Sequence, residues 1–190
     1  MKAAPIAIAT VAVVLLALGA GRKYTTVRNE LEEQRRGMSE AWVQVDTALE
    51  KHAAAVSGLV DSVKSAIHDQ PQIQRDIEDA SAAVLHGRTP EDRIRANARL
   101  NAALARLLLL SETMEKSKSN QGFVRLESEL ADAESHIALP RRKYNEALEH
   151  YNAQIQQFPE NVVASISGFK RNDAYFKTEP GESLPVRTPF

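Results

Sequence analysis

The sequence predicts an all-α protein: an N-terminal transmembrane helix continuing into an elongated antiparallel up-and-down bundle of about four long helices. Three observations carry that expectation. Ala, Leu, Glu, Gln and Arg dominate from Tyr24 to Phe158, with β-branched residues scattered and not in runs. Apolar residues recur there at helical spacing, and the segments between the periodic stretches are short, which favours antiparallel neighbours. An uncharged apolar run opens the chain. With 190 residues there is room for one domain beyond a membrane segment. The expected division is an anchor over residues 1–21, a helical bundle over 22–158, and an aromatic C-terminal segment with an extended tail over 159–190.

The apolar run spans Ala3 to Ala20, with Lys2 before it and Arg22 and Lys23 after it. A helix needs roughly 17 to 25 apolar residues to cross a bilayer core, so the run is just long enough, helped by snorkelling Lys and Arg stems. A cleaved signal peptide is the competing reading, with small residues at Ala17, Gly19 and Ala20 where it could be cut. The run exceeds the usual h-region of about 7 to 15 residues, and an apolar stripe resumes from Tyr24. One continuous helix is the simpler account. Lys2 faces Arg22, Lys23, Arg28, Arg35 and Arg36 across the span, so the excess of positive charge puts the bundle in the cytoplasm and the N-terminus outside, in the cell (inner) membrane. Cleavage would leave a periplasmic or secreted soluble bundle instead.

In the first helix, Leu31, Met38, Val45, His52, Leu59 and Ala66 stand seven apart, and Trp42, Leu49, Val56 and Val63 form a second series offset by four. That is a heptad stripe, with Glu32, Glu33, Glu40, Asp46 and Lys51 off it. The helix should end between His68 and Pro71, because the residue before a proline is pushed out of helical geometry. A shorter stripe, Ile73, Ile77, Ala80 and Val84, stops at Gly87. Thr89-Pro90-Glu91-Asp92 then supplies an N-cap, a first-turn proline and two acids suited to a positive helix start. The third helix follows Ile94, Leu100, Leu104, Leu107 and Leu108 to Met114, and Leu107 to Leu110 should be deeply buried. Ser117 to Gly122 reads as a polar turn. The last long helix follows Phe123, Leu126, Leu130, Ala133, Ile137, Tyr144, Leu148, Tyr151 and Ile155 as far as Phe158-Pro159, interrupted and bent at Pro140. From there a mixed segment, Val162 to Lys170, leads into the tail. Helix lengths of roughly 70 Å outward and 55 to 60 Å back, at about 1.5 Å per residue, bring the C-terminal segment near the bilayer.

Chemistry is sparse. There is no cysteine, which removes disulfides, thiolate ligands and a Cys nucleophile. A net charge of -1, from 24 Lys plus Arg against 25 Asp plus Glu, gives no field to attract nucleic acid. His52, His68, His86, His136 and His150 lack metal-ligand spacing, and no phosphate-binding or nucleophile motif is present. No cofactor or metal is expected. Glu127, Glu129, Asp132 and Glu134 read as a solvated face; a metal-dependent or acid/base hydrolase using them with His136 or His150 is the alternative from another class. Arg93, Arg95, Arg99 and Arg106 read as partners for acids on neighbouring helices, or as a contact for acidic headgroups.

The C-terminal region is richer. Seven of the ten aromatics lie from Tyr144 onward. Phe158, Phe169, Lys170, Arg171, Tyr175 and Phe176 are candidates for an interaction surface or a membrane-proximal contact. The other reading is that Phe158, Ile166 and Phe169 close the end of the bundle. Tyr144-Asn145 and Tyr151-Asn152 recur seven apart, each kind on one helix face, as if the rings packed and the amides fixed register across the bundle.

These residues also carry a family resemblance. Val27-Arg28-Asn29, Ala41 to Asp46 including Trp42 and Asp46, Gln121-Gly122-Phe123, Glu129-Leu130, Tyr144-Asn145, Tyr151-Asn152, Phe158-Pro159, Gly168-Phe169 and Phe176 resemble the LemA family in order and spacing. The resemblance implies a membrane-anchored antiparallel helical bundle without established enzymatic activity. The function expected is a membrane-tethered scaffold or interaction protein with no catalysis of its own. Its expected partners are the lipid bilayer, another membrane or membrane-associated protein, and, in an oligomer, copies of itself.

Overall fold

The computed structural model describes residues 3–63, 67, 69–113 and 121–176, with side chains from Val14 onward except at Ser62, Glu112 and Thr113. The described residues contain five helices and no strand: α1 (Ala3–Val63), α2 (Pro71–His86), α3 (Pro90–Thr113), α4 (Gln121–Gln154) and α5 (Glu160–Ser167). The all-α expectation therefore holds, and α1 runs unbroken through 61 residues, joining the apolar N-terminal run to the amphipathic stripe. The transmembrane anchor expected over residues 1–21 is not supported in the same way. Among the described residues no helix is long and apolar enough to cross a membrane. Most of that anchor lies outside the described side chains. Where they begin, Val14, Leu15, Leu16 and Leu18 are between 55% and 73% exposed.

The buried stripe of α1 follows the two seven-residue series for most of its length. Leu31, Val45 and His52 of one and Leu49, Val56 and Val63 of the other are buried, Met38 and Trp42 are partly buried, Leu59 is only half-buried, and Ala66 is outside the described residues. Ala53 and Val60 are buried beside them. A helix that meets its partners on one side buries such a stripe and leaves the positions at its edge partly exposed. The same physics covers residues 107–110. Leu107 is fully buried, Leu108 and Leu110 are half-buried, and Leu109 is 62% exposed, because four consecutive residues cover all sides of a helix and only one side meets a partner.

The chain forms two compact units, one drawn from Met1–Ser39 and Glu146–Asn172, the other from Glu40–Asn145 and Asp173–Phe190. In the second unit α2 packs along α3. α2 opens on Pro71, whose missing N–H costs nothing in a first turn. Thr89 caps α3: its Oγ1 accepts the Asp92 N–H at 3.1 Å and donates to Asp92 Oδ2 at 2.7 Å. The bend between them needs a glycine, because a Cβ on Gly87 would stand 2.7 Å from Arg93 Cγ and 3.0 Å from the Ala83 carbonyl oxygen. α4 already contains Gln121 and Gly122, which the sequence assigned to a turn, and it passes Pro140 without a break. One lost backbone bond at Pro140 is outweighed by the buried face around it, Ile137, Tyr144 and Leu148. α4 ends at Gln154, before the expected Phe158-Pro159, and a turn containing the cis Phe158–Pro159 peptide leads to α5. α5 was not expected as a helix. It closes on Gly168 in the left-handed conformation (φ 77°), where the Phe169 N–H reaches the Ala164 carbonyl at 2.9 Å.

Candidate functional site: the gripped C-terminal segment

In the first unit, Val27 and Leu31 of α1 form a core with Tyr151 and Ile155 and with Val163 and Ala164 of α5; Tyr24, Met38 and Phe169 pack against it. Tyr24 and Ser167 share a hydrogen bond of 3.0 Å between their hydroxyls. The non-helical chain after Gly168 is held by polar groups. Tyr151 donates its hydroxyl to the Lys170 carbonyl at 2.9 Å. Asn152 is buried and binds both backbone groups of Asn172: Nδ2 donates to the carbonyl at 2.6 Å and Oδ1 accepts the N–H at 3.0 Å. A primary amide carries one donor and one acceptor side, so it pairs with an extended backbone as a neighbouring strand does. Arg35 lies over the Phe169 ring, 5.7 Å from its centroid. Burial pushes the Tyr151 hydroxyl above its ordinary range, against the opposing pull of Arg35 and the Lys170 carbonyl.

The second unit repeats the device. Asn145 Nδ2 donates to the Phe176 carbonyl at 2.9 Å, and Asn145 Oδ1 accepts the Phe176 N–H at 3.0 Å. The Phe176 ring is buried against Trp42 (centroids 6.4 Å, stacked) and Tyr144 (6.2 Å, edge-on), and Trp42 meets Tyr144 at 5.2 Å. Arg141 lies 5.3 Å over the outer face of Phe176. The Tyr144 hydroxyl is buried without a hydrogen-bond partner among the described residues, and burial pushes its pKa up to about 12.

Among the described ionisable groups, Arg93 is the most connected. Arg93 lies 2.8 Å from Asp46 Oδ1, as an ion pair off the line of an aligned hydrogen bond, and 3.0 Å from Glu50 Oε1; it also donates through Nε to the Gly87 carbonyl at 3.0 Å. Burial raises the Asp46 carboxyl above its usual range and outweighs Arg93. His52 is buried, with Nδ1 3.3 Å from Asn97 Oδ1 and no partner on Nε2 among the described residues; burial lowers its pKa. On the acidic face Glu127, Glu129 and Asp132 are exposed, as are His136 and His150, while Glu134 accepts from Asn101 Nδ2 at 2.8 Å. Among the described residues no three His, Asp or Glu stand close enough to share a cation. Of the four arginines read as partners for acids on neighbouring helices, Arg93 meets Asp46 and Glu50 of α1, Arg106 stands 3.7 Å from Asp76 of α2, and Arg95 and Arg99 line, with Arg88 and Asp92, a basin of about 330 Å³ beside α2 and α3.

The residues singled out from sequence therefore separate. Phe158, Lys170 and Arg171 are at the surface with half-buried Pro159, whereas Phe169 and Tyr175 are half-buried and Phe176 is interior, so Phe176 is no part of a docking face. The Asn145 and Asn152 amides, expected to fix register between helices, grip the backbone of the C-terminal segment. Sequence reasoning missed Asn172, whose main chain is what Asn152 grips and leaves no mark in side-chain pattern, and did not give Arg93 its separate weight. Its position just past a Gly-Arg-Thr-Pro bend was the available signal.

The described parts define a helical protein that straps a non-helical C-terminal segment onto its helices through paired amide–backbone contacts and an aromatic cluster. The chain belongs to the LemA family, whose family model matches residues 41–190. It is also similar to magnetosome protein MamQ 2 and magnetosome protein MamQ 1 of Paramagnetospirillum magneticum, each 36% identical over 87 residues, covering 46% of this chain and 32% of the relative. Magnetosome protein MamQ of Magnetospirillum gryphiswaldense is 33% identical over 87 residues with the same coverage. The match thus spans about a third of the length of these curated relatives.

Proposed function

We propose that this chain is a membrane-tethered helical scaffold without catalytic activity, held by residues 1–21 as a single-pass anchor and presenting its packed helices to another membrane or membrane-associated protein. The observation that carries the reading is the continuity of α1, which leads from an uncharged apolar run directly into a packed core. Supporting it, Val14 to Leu18 expose large apolar side chains that water does not favour, and exposed Arg22, Lys23 and Arg28 follow at the headgroup level. The excess of positive charge after the span favours a cytoplasmic bundle in the inner membrane. The relatives are magnetosome proteins by name; the role proposed for this chain is the general one of a tethered scaffold.

The test is retention and mass. Membranes washed with alkaline carbonate are expected to keep the intact chain, and the mature protein is expected to start before Ala3. Release into the wash, or a mature N-terminus near Arg22, overturns the tether. Crosslinking in intact membranes is expected to capture a protein partner or a second copy through the exposed surfaces.

A further inference from the structure

The unexpected helix α5 exposes large apolar side chains beside Asn161 and Ser165 on the side away from its core. Val163 and Ala164 face the core, while Val162 and Ile166, four apart, are 49% and 70% exposed, and Phe158 in the preceding turn is 83% exposed. An eight-residue helix on an ordinary protein surface presents polar groups outward. The position of α5 is fixed within its unit by Val27, which packs with Val163 and Ala164, and by the Tyr24–Ser167 hydrogen bond. Tyr24 and Val27 are four and seven residues beyond Ala20, the last residue of the apolar run, or about 6 to 10 Å of helical rise. A bilayer of about 30 Å hydrocarbon thickens to roughly 40–45 Å with its headgroups, leaving about 5 to 8 Å on each side.

We propose that α5 is an interfacial helix, its outer residues Val162 and Ile166 seated, with Phe158 of the preceding turn, in the headgroup boundary of the bilayer that α1 enters. This rests on the tether proposed above. Interfacial helices bury an apolar face about 5–10 Å into that boundary and hold it there with basic residues. Arg22, Lys23 and Arg28 of α1 and Lys170 and Arg171 beyond α5 are exposed in the same unit and supply that charge, which matches anionic lipid. α5 contains a single acid, Glu160, at its first turn, and no base. A second copy of the chain is the weaker occupant, because three side chains fall well short of the roughly 800 Å² per partner of a stable interface.

The chain has no cysteine, so single-cysteine variants take one environment-sensitive fluorophore each. Full-length Leu16→Cys, Ile166→Cys and Glu78→Cys proteins are reconstituted in phosphatidylcholine–phosphatidylglycerol vesicles and quenched with either lipid-borne spin labels or aqueous iodide. Labels at Leu16 and Ile166 are expected to respond to the lipid quencher, and the exposed Glu78 label to iodide. In a Ser165→Cys protein, adding Val162→Ser with Ile166→Ser is expected to abolish lipid quenching while helical content stays constant. Lipid quenching at Leu16 with iodide quenching at Ile166 overturns the interfacial helix and leaves the tether standing. Iodide quenching at both overturns both. An Ile166 label shielded from both quenchers overturns the proposal in favour of a protein cover.

Discussion

At the scale of single residues, the two tyrosines of the repeated Tyr-Asn pair separate cleanly. Tyr151 donates to a carbonyl and Tyr144 donates to nothing described, although both rings are buried. A buried hydroxyl without a partner keeps its full desolvation cost, whereas a bonded one contributes about 1 kcal/mol. Tyr144→Phe is therefore expected to leave the urea midpoint unchanged or raise it, and Tyr151→Phe to lower stability by about 1 kcal/mol in the same titration. Asn152→Ala removes both bonds to Asn172 at once and is expected to cost about 1–3 kcal/mol. It should also make the amide of residue 172 exchange with solvent faster, read by hydrogen–deuterium exchange. The sequence made the shared face of Tyr144 and Tyr151 legible because helical periodicity is local. What the amides bind was not legible: their partners are backbone groups in a stretch with no periodicity, and any residue type supplies the same N–H and carbonyl.

At the scale of elements, the bend between α2 and α3 depends on two residues acting together. Gly87 leaves room for the Arg93 stem, and Arg93 binds the Gly87 carbonyl along with Asp46 and Glu50 of α1. Arg93→Ala is expected to cost about 2 kcal/mol through lost charged hydrogen bonds and packing. Gly87→Ala should displace the same guanidinium, so the double variant should lose less than the sum of the singles in thermal unfolding. The first four helices were legible from apolar spacing, turn residues and prolines, with the α3 cap at Thr89 readable to the residue. α5 was not, since eight residues hold too few turns for a period to emerge, and Val162-Val163 points one apolar residue to each side.

At the scale of the whole molecule, pH dependence traces back to His52. Burial lowers its pKa in the folded chain below the ordinary value of 6.5. The unfolded chain then binds the proton more readily than the folded one, so stability rises with pH across that interval. Full stability is expected above about pH 6.5, declining as the pH falls below it. Thermal midpoints at about pH 7.5 and about pH 5.5 should differ more for the parent chain than for His52→Gln, which keeps a polar group for Asn97 and cannot take up the proton. A partner or membrane bound at the surface would raise both midpoints without changing that difference.

The two asparagine grips have a consequence for what the C-terminal segment can tolerate. Each amide holds a residue by the part of it that all residues but one share. At position 172 the grip itself is blind to side-chain identity, and the residue it bars is proline, which has no N–H to offer Asn152 Oδ1; the Asn172 amide adds a weak contact of its own, Nδ2 to Met38 Sδ at 3.7 Å. Position 176 carries the same prohibition and adds a demand for an aromatic ring beside Trp42. The segment is thus governed by two rules of different kinds, one of main-chain availability and one of shape, and a chain that satisfies both could be strapped down whatever else it spells.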